Sequence, residues 1–423
     1  MRFSPQEKFI QDIVFIVHVL VVDCMNFAKI KSKYKRRKNL KKRFRTEILL
    51  TQSQKTKFFQ TRGVCRYVYN LFIAYNQERY KNGAPYMSAK SFSVWLNNEY
   101  IPNNPDKYWI KDVYSKAVKQ SLEDANIAFM RFFKGQSAFP KYKKRIVDEP
   151  KMYFVKNNKK DCLCERHKIK VPSLGWVQLK EKGYIPTTKD GYIISSGTID
   201  CIAGKYYISV VVEVPEIQNH NNGNDGIGID LGVKDFAIIS NGKKYKNINK
   251  TEKVKKLEKK LKREQRRLSY KYENKKKGGA TQGKNIQKQR EKVQKIHHQL
   301  ANIRNNYVKT TVSEIVKTKP SFITIEDLNV KGMMKNHHLS KAIQQQKLYD
   351  FRRILIEKCK ENGIELRIVD RWFASSKICH SCGQIKKNLK LSDRIYKCDC
   401  GSMEDRDLNA SLNLRDASIY KIA

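Results

Sequence analysis

At 423 residues the chain has room for about two to four domains, and its 87 Lys and Arg against 41 Asp and Glu leave a formal net charge of +46 spread along the whole length. So large a surplus repels itself, and its natural counterpart is a polyphosphate backbone, which makes nucleic acid the expected partner. The hydrophobic share of 40%, with 18 Phe and 22 Tyr, still allows sizeable cores. The first apolar run, Ile10 to Val22, is broken by Gln11, Asp12 and His18 and falls short of the roughly 18 residues a membrane span needs. It has neither the basic start nor the cleavage site of a signal peptide. Lys29 to Arg45 follows as a dense basic run, expected to be solvated and to touch phosphate.

Phe44 to Leu50 reads as a strand, and Thr51-Gln52-Ser53-Gln54 offers a helix start. Phe58, Phe59, Val64, Val68, Leu71, Phe72 and Tyr75 then recur at helical spacing with Arg62, Arg66 and Arg79 between them, an amphipathic helix with a basic face. Helical patterns at Ala89–Leu96 and Val113–Phe133, separated by the Pro-containing loop Ile101–Pro105, complete a helical module over residues 53–135. From Phe139 the texture changes to short alternating runs at 168–172, 175–179, 191–194 and 205–212, the strands of a small barrel or sandwich that the strand at 44–50 can join. Cys162-Leu163-Cys164 with His167 lacks a fourth ligand and is expected to be ordinary strand sequence. The remaining cysteines outside the C-terminal region, Cys24, Cys65, Cys201 and Cys359, have no framework spacing, as in a reducing cytoplasm.

After a linker at 218–225, strand and helix alternate. Residues 226–232 and 236–239 make a hairpin, and 322–326 and 365–369 are further strands. Between them Val254, Leu257, Leu261 and Leu268, then Ile286, Val293, Ile296, Leu300 and Ile303, step by three, four and seven, so two helices should zip together around Gly278-Gly279-Ala280. His297 and His298 on that hairpin are expected to be exposed polar residues. Near the C-terminus stand Cys379-His380-Ser381-Cys382 and Cys398-Asp399-Cys400, each pair followed by a glycine, Gly383 and Gly401. Four thiolates at this spacing can close a tetrahedral zinc site, a zinc ribbon with Cys379, Cys382, Cys398 and Cys400 as ligands and His380 as the rival ligand.

Hydrolysis of a phosphodiester with two divalent ions needs acids that converge from separate elements. Asp230 sits inside an apolar strand, Glu326 ends a strand, and Asp407 opens a helix whose Leu408, Leu412 and Leu414 face a core. In the order strand, strand, helix they match the way ribonuclease-H-like nucleases build a metal site. Asp235, Asp327, Asp370 and Asp405 are the neighbouring alternatives, and Asp405, a plausible cap of the same helix, is the closest.

Gly-Ile-Asp-Leu-Gly-Val at 228–233, Ile-Glu-Asp-Leu-Asn at 325–329, Ser-Ser-Lys-Ile-Cys-His-Ser-Cys-Gly at 375–383 and Asp-Arg-Asp-Leu-Asn-Ala-Ser at 405–411 resemble the TnpB family, OrfB-type insertion-sequence proteins related to the type V CRISPR effectors. The resemblance covers about Lys41 to Leu414. It implies a multi-domain α+β protein: a wedge-type β-barrel (41–52 and 136–217) with an inserted helical recognition module (53–135), then a RuvC-like nuclease of ribonuclease-H fold (218–423) with a helical hairpin (248–307) and a zinc ribbon (376–402). It places Asp230, Glu326 and Asp407 on the family's catalytic, magnesium-binding positions. It implies RNA-guided cleavage of double-stranded DNA with a transposon-derived guide RNA, by a monomer, in the bacterial cytoplasm and on the nucleoid when bound to DNA. Strand transfer by the same acids, and a nuclease-silent DNA-binding regulator, are the alternatives. Arg62, Arg66 and the segment Lys141, Lys143, Lys144, Arg145 are expected to contact RNA or heteroduplex backbone. The second cysteine pair is Cys-x-Cys where Cys-x-x-Cys is more usual, and residues 1–40, a basic extension, have no counterpart in the family. That extension is expected to be dispensable, with Met25 a candidate initiator.

Overall fold

The computed structural model describes residues 40–145, 151–158, 161–214, 225–278, 283–389 and 393–423. The N-terminal extension with Ile10–Val22, Cys24 and Met25, most of the 218–225 linker, and Gly279 and Ala280 of the expected hairpin turn lie outside the described residues. In sequence the chain divides near residue 216 into two compact units. Among the described residues no helix is long and apolar enough to cross a membrane.

The first unit is built on a six-stranded sheet. Its strands are β1 (Leu40–Leu49), β2 (Met152–Val155), β3 (Lys168–Val171), β4 (Gly175–Leu179), β5 (Ile193–Ile202) and β6 (Lys205–Val214), in the order β2-β5-β6-β1-β4-β3. Along β1 the period of two turns Phe44, Thr46 and Ile48 inward and leaves Lys41, Arg43 and Arg45 outward, so one face packs the core while the other stays charged. β1 pairs antiparallel with both β6 and β4. The strand Met152–Val155 was not evident in the sequence, because its apolar run is only four residues long. Cys162 and Cys164 are buried in this core, and loss of solvent pushes each thiol up to about 11, so they behave as apolar filling.

Among the described residues three longer helices are inserted between β1 and β2: α1 (Gln52–Lys81), α2 (Ala89–Trp95) and α3 (Ser115–Phe133). Thr51 and Gln54 form a reciprocal capping box that starts α1, and the Gln54 amide also donates to the carbonyls of Leu174 and Trp176. Phe72, fully buried, meets Phe92 of α2 and Phe129 of α3 edge-on. The stretch expected as a loop from Ile101 is instead a run of tight turns; a wide turn at Leu96–Tyr100 puts Leu96 and Ile101 on the same buried face.

The second unit carries a mixed sheet of β7 (Ile227–Leu231), β8 (Asp235–Ile239), β9 (Lys244–Lys246), β10 (Phe322–Glu326), β11 (Glu365–Val369) and β14 (Lys421–Ile422) in the order β14-β11-β10-β7-β8-β9. β7, β10 and β11 run parallel at its centre, flanked by antiparallel partners. Helices α4 (Glu252–Lys276) and α5 (Gly283–Lys317) form the charged hairpin, closed by Val254, Ile296 and Leu300. α5 runs past the expected end of the hairpin because Val308, Val312, Ile315 and Val316 continue its apolar stripe onto the sheet. Further out Glu264 is buried in the seam and accepts from the Gln289 amide at 2.8 Å. Two short helices, α6 (Val330–Met333) and α7 (His337–Gln346), lead into α8 (Leu348–Asn362), whose Phe351 and Leu355 pack under the sheet with α5. A small hairpin, β12 (Ile395–Lys397) and β13 (Met403–Asp405), precedes α9 (Arg406–Arg415).

Candidate carboxylate and cysteine sites

The register of the parallel strands sets two of the three acids side by side. Ile229 of β7 pairs with Ile325 of β10, and both side chains enter the core shared with α5 and α8. Asp230 and Glu326 are each the next residue, so strand alternation turns both to the opposite face at the C-terminal ends of neighbouring strands. α9 covers that face. It comes close because of Gly228: a Cβ there would lie 2.0 Å from the Ser411 carbonyl oxygen and 2.4 Å from the Arg415 amide nitrogen. Only glycine permits this backbone approach, which brings Asp407, in the first turn of α9, toward Asp230.

The electrostatics reflect the crowding. Burial, then the nearby charges of Asp407 and Glu326, push the Asp230 carboxyl up to about 7 against the pull of Arg406 and the Leu231 amide. Glu326 is raised as well, by burial and then by Asp327. Among the described residues none of the three acids has an ion-pair partner. Three of their neighbours are engaged in other ways. Asp327 binds Arg352 and, at 2.9 Å, Arg371; Asp370 accepts from the Trp372 amide. Asp405 pairs with Lys244 at 2.6 Å and caps α9 by accepting from the amides of Asp407 and Leu408. The fourth, Asp235, lies half-buried on β8 opposite Lys246. Asp405, the closest rival, is thus occupied in holding the helix start.

The cysteines converge more tightly. The Sγ atoms of Cys379, Cys382, Cys398 and Cys400 all lie within 4.8 Å of one another, with Cys379–Cys400 at 3.7 Å and Cys382–Cys398 at 3.6 Å. A tetrahedral ion with metal–sulfur bonds of about 2.3 Å needs sulfur–sulfur edges of about 3.8 Å, so the thiol set is compatible with zinc. Gly383 and Gly401 take φ of +76° and +88°, the left-handed turn each knuckle needs. Against its own desolvation, the backbone amides of Cys382 and Ser381 draw Cys379 down to about 6. Cys382 goes the other way: despite the Gln384 amide, the Cys398 and Cys400 thiols push it up to about 12, as when one thiolate opposes the next. His380 is not part of the cluster; its Nδ1 faces Asp416 at 3.6 Å. The three carboxylates do not reach the mutual spacing of the thiols.

Two residues given no role by the sequence reading join the sites. Asn409, 2% exposed, donates to the Ile378 carbonyl at 2.7 Å and accepts from the His380 amide at 2.9 Å. Asn413, one turn on, donates to the carbonyls of Ser375 and Ile378. The helix that carries Asp407 therefore also holds, through another of its faces, the backbone of the first cysteine knuckle. The available signal was two asparagines four apart in an otherwise apolar helix face.

The basic residues divide. Arg62 is only 8% exposed and lies over the Phe58 ring, so its helix position faces the interior, contrary to the expectation of a surface contact. Arg66 is half-buried, while Lys141, Lys144 and Arg145 are exposed. Lys143 lies 3.8 Å above the Tyr69 ring, and its backbone is held to α1 by both atoms of the Asn70 amide. His297 and His298 lie at hydrogen-bond distance from the Gln265 and Asn302 side chains, respectively.

Three family models match in succession: an OrfB/IS605 "Helix-turn-helix domain" over residues 40–84, the OrfB/IS605 "Probable transposase" over 209–337 and a "Cas12f1-like, TNB domain" over 349–414. Two of the three models are those of the OrfB/IS605 proteins, to which the chain is similar over residues 40–84 and 209–337. InsQ of Escherichia coli K12, named "Putative RNA-guided DNA endonuclease InsQ", is 28% identical over 83% of this chain and 86% of its own. A Streptomyces pristinaespiralis protein, named "Putative RNA-guided DNA endonuclease", is 27% identical over 90% of both chains. The fold is also that of Cas12f1, solved by cryo-electron microscopy as a Cas12f1–sgRNA–target DNA complex: TM-score 0.58 at 16% identity, over 88% of this chain and 84% of that one.

Proposed function

We propose that the chain is a transposon-associated, RNA-guided DNA endonuclease whose cutting site is Asp230, Glu326 and Asp407. The observation that carries the site is a set of three acids drawn together on one sheet face with no ion pair among the described residues and only Arg406 as a partial offset, while Asp327, Asp370 and Asp405 beside them are each satisfied. A weakly compensated cluster of this kind is costly to bury and is relieved by divalent metal. The second unit is read as a RuvC-like domain of ribonuclease-H fold, the six-stranded sheet of the first as a wedge-type barrel, and the cysteine hairpin as a zinc ribbon.

Magnesium, when bound by the three carboxylates, supplies charge neutralisation at the scissile phosphate and a more acidic water. The protein's own part is positional. The paired strands fix Asp230 and Glu326, Gly228 admits α9, and Asp405 caps that helix so that Asp407 faces them. The apolar core beneath keeps the strands from yielding to the repulsion between the acids. The relatives' names support guide RNA and DNA as partners, and so does the +46 charge. Arg66, Lys141, Lys144 and Arg145 are proposed to touch RNA or heteroduplex backbone, and the protein to act in the bacterial cytoplasm.

The test is a cutting assay with RNA-loaded protein, target DNA and magnesium. Asp230→Ala, Glu326→Ala and Asp407→Ala should each lower cutting by about a thousandfold or more while RNA and DNA binding persist. Asp405→Ala should lose about fivefold, the effect of a lost cap of about 1 kcal/mol. If Asp407→Ala cuts and Asp405→Ala does not, the assignment moves to Asp405; if all three cut, the RuvC reading fails. Products rejoined to a second DNA end would favour strand transfer.

A further inference from the structure

Beside Glu326 lies a cleft of about 240 Å³ with Arg352, Arg371, Lys331 and Tyr349 in its lining. Arg352 comes from α8 and Arg371 from the loop after β11, and both end on Asp327, the residue after Glu326. One carboxylate restrains two guanidinium groups. Each guanidinium carries five N–H donors in a fixed fork. Among the described residues, Arg352 and Arg371 each spend donors on Asp327 alone. Both side chains stay partly open to solvent, at 32% and 41%. A surface ion pair built only for stability is worth about 0–1 kcal/mol and needs a single cation. A second arginine on the same acid leaves a net positive charge, with its remaining donors available to the cleft.

Asp327 also keeps both cations off Glu326, which has no ion pair and remains free for its own role. Tyr349, at the first turn of α8, is 66% exposed and offers a ring face at the same cleft. A restrained guanidinium pair suits phosphate bidentately, and an exposed tyrosine suits an unpaired base, since a duplex keeps its base faces covered.

We propose that Arg352 and Arg371, held by Asp327, form a phosphate clamp that seats the backbone of single-stranded DNA in the cleft beside Glu326, with Tyr349 stacking on a base. The proposal rests on the reading of Glu326 as part of the cutting site. The clamp binds the strand; it takes no part in bond breaking.

The experiment is equilibrium binding of a short fluorescent DNA strand to the full chain loaded with its co-purified RNA, in EDTA and over a range of salt. R352Q/R371Q should weaken binding by about tenfold and flatten the logarithmic salt dependence by about 1.4, the share of two phosphate contacts on a single strand. R353Q removes one positive charge from the outer side of α8, where Arg353 pairs with Asp350 and Glu357, and should stay within about twofold of the wild type. R371K keeps the charge without the fork, so an intermediate affinity is expected and also serves if the double variant does not fold. Unchanged binding by R352Q/R371Q, an equal loss in R353Q, or wild-type affinity in R371K overturns the clamp. Because EDTA silences cutting, this result is independent of the carboxylate reading, which Asp407→Ala tests separately.

Discussion

The cysteine cluster and the carboxylate set of the second unit are built in opposite ways. The cysteine cluster is local: two turns within residues 379–400 bring four sulfurs within 4.8 Å of one another, whatever the rest of the chain does. The carboxylate set spans residues 230 to 407 and exists only because two strands pair in one register and a helix lies flat on them. The thiols sit at the spacing of a small tetrahedron. The acids are more widely set and repel one another. One site is held together by what it would bind, the other by the fold around it.

The largest effect that separates them comes from Gly228. Gly228→Ala forces a methyl group to within 2.0 Å of the Ser411 carbonyl, so α9 must lift from β7 and carry Asp407 with it. Cutting should fall at least a hundredfold, because a displacement of about 1 Å at a reacting centre costs that much, while metal analysis still gives about one zinc per chain. Cys400→Ser is the mirror case: zinc should be lost first, and cutting with it. Zinc lost from Gly228→Ala, or Gly228→Ala cutting at the wild-type rate, would mean the two sites are not built as described.

The same contrast explains what could be read in advance. Cysteine spacing and the glycines after each pair point to a closed site without any fold, since all the geometry is local. Asp230 and Glu326 were legible as charges in apolar strands, but their adjacency depends on the pairing of Ile229 with Ile325, residues 96 apart in the chain. The choice of Asp407 over Asp405 is not readable from the residues alone, because both acids suit a helix start; in the structure Lys244 and the helix cap engage Asp405, which supports proposing Asp407. Arg62 was misread because an arginine at helical spacing among aromatics fits either face, and here its stem packs on Phe58. The role of Asn409 could not be read at all, since its partners, Ile378 and His380, lie in another turn. Asn409→Ala should sharpen the picture at an intermediate scale. Asn413 still donates to the Ile378 carbonyl, so the change leaves the His380 amide without its acceptor, a loss of about 1–3 kcal/mol, and loosens α9 from the knuckle. Zinc content should stay near one per chain, while cutting falls about tenfold and the magnesium concentration for half-maximal cutting rises. Zinc loss without any change in that magnesium midpoint would place the asparagine with the cysteine site alone.

The smallest effect is the most diagnostic of how the carboxylate set is held. If the fold forces the three acids together, removing one charge without changing shape should stabilise the metal-free protein. Beyond its burial, Asp230 meets the like charges of Asp407 and Glu326, with Arg406 a weaker offset. Asp230→Asn keeps the volume and removes the repulsion, a gain of about 1 kcal/mol for like charges at a partly solvated site. For a unit of this size that is a rise of about 2–4 °C in melting temperature, measured in EDTA. Magnesium should raise the melting temperature of the wild type and leave that of Asp230→Asn nearly unmoved, since a ligand that binds only the folded form stabilises by mass action. Cys400→Ser should lower it with or without magnesium. A fall for Asp230→Asn in EDTA would show instead that the Asp230 carboxylate is a structural partner, and the three acids would lose their common explanation.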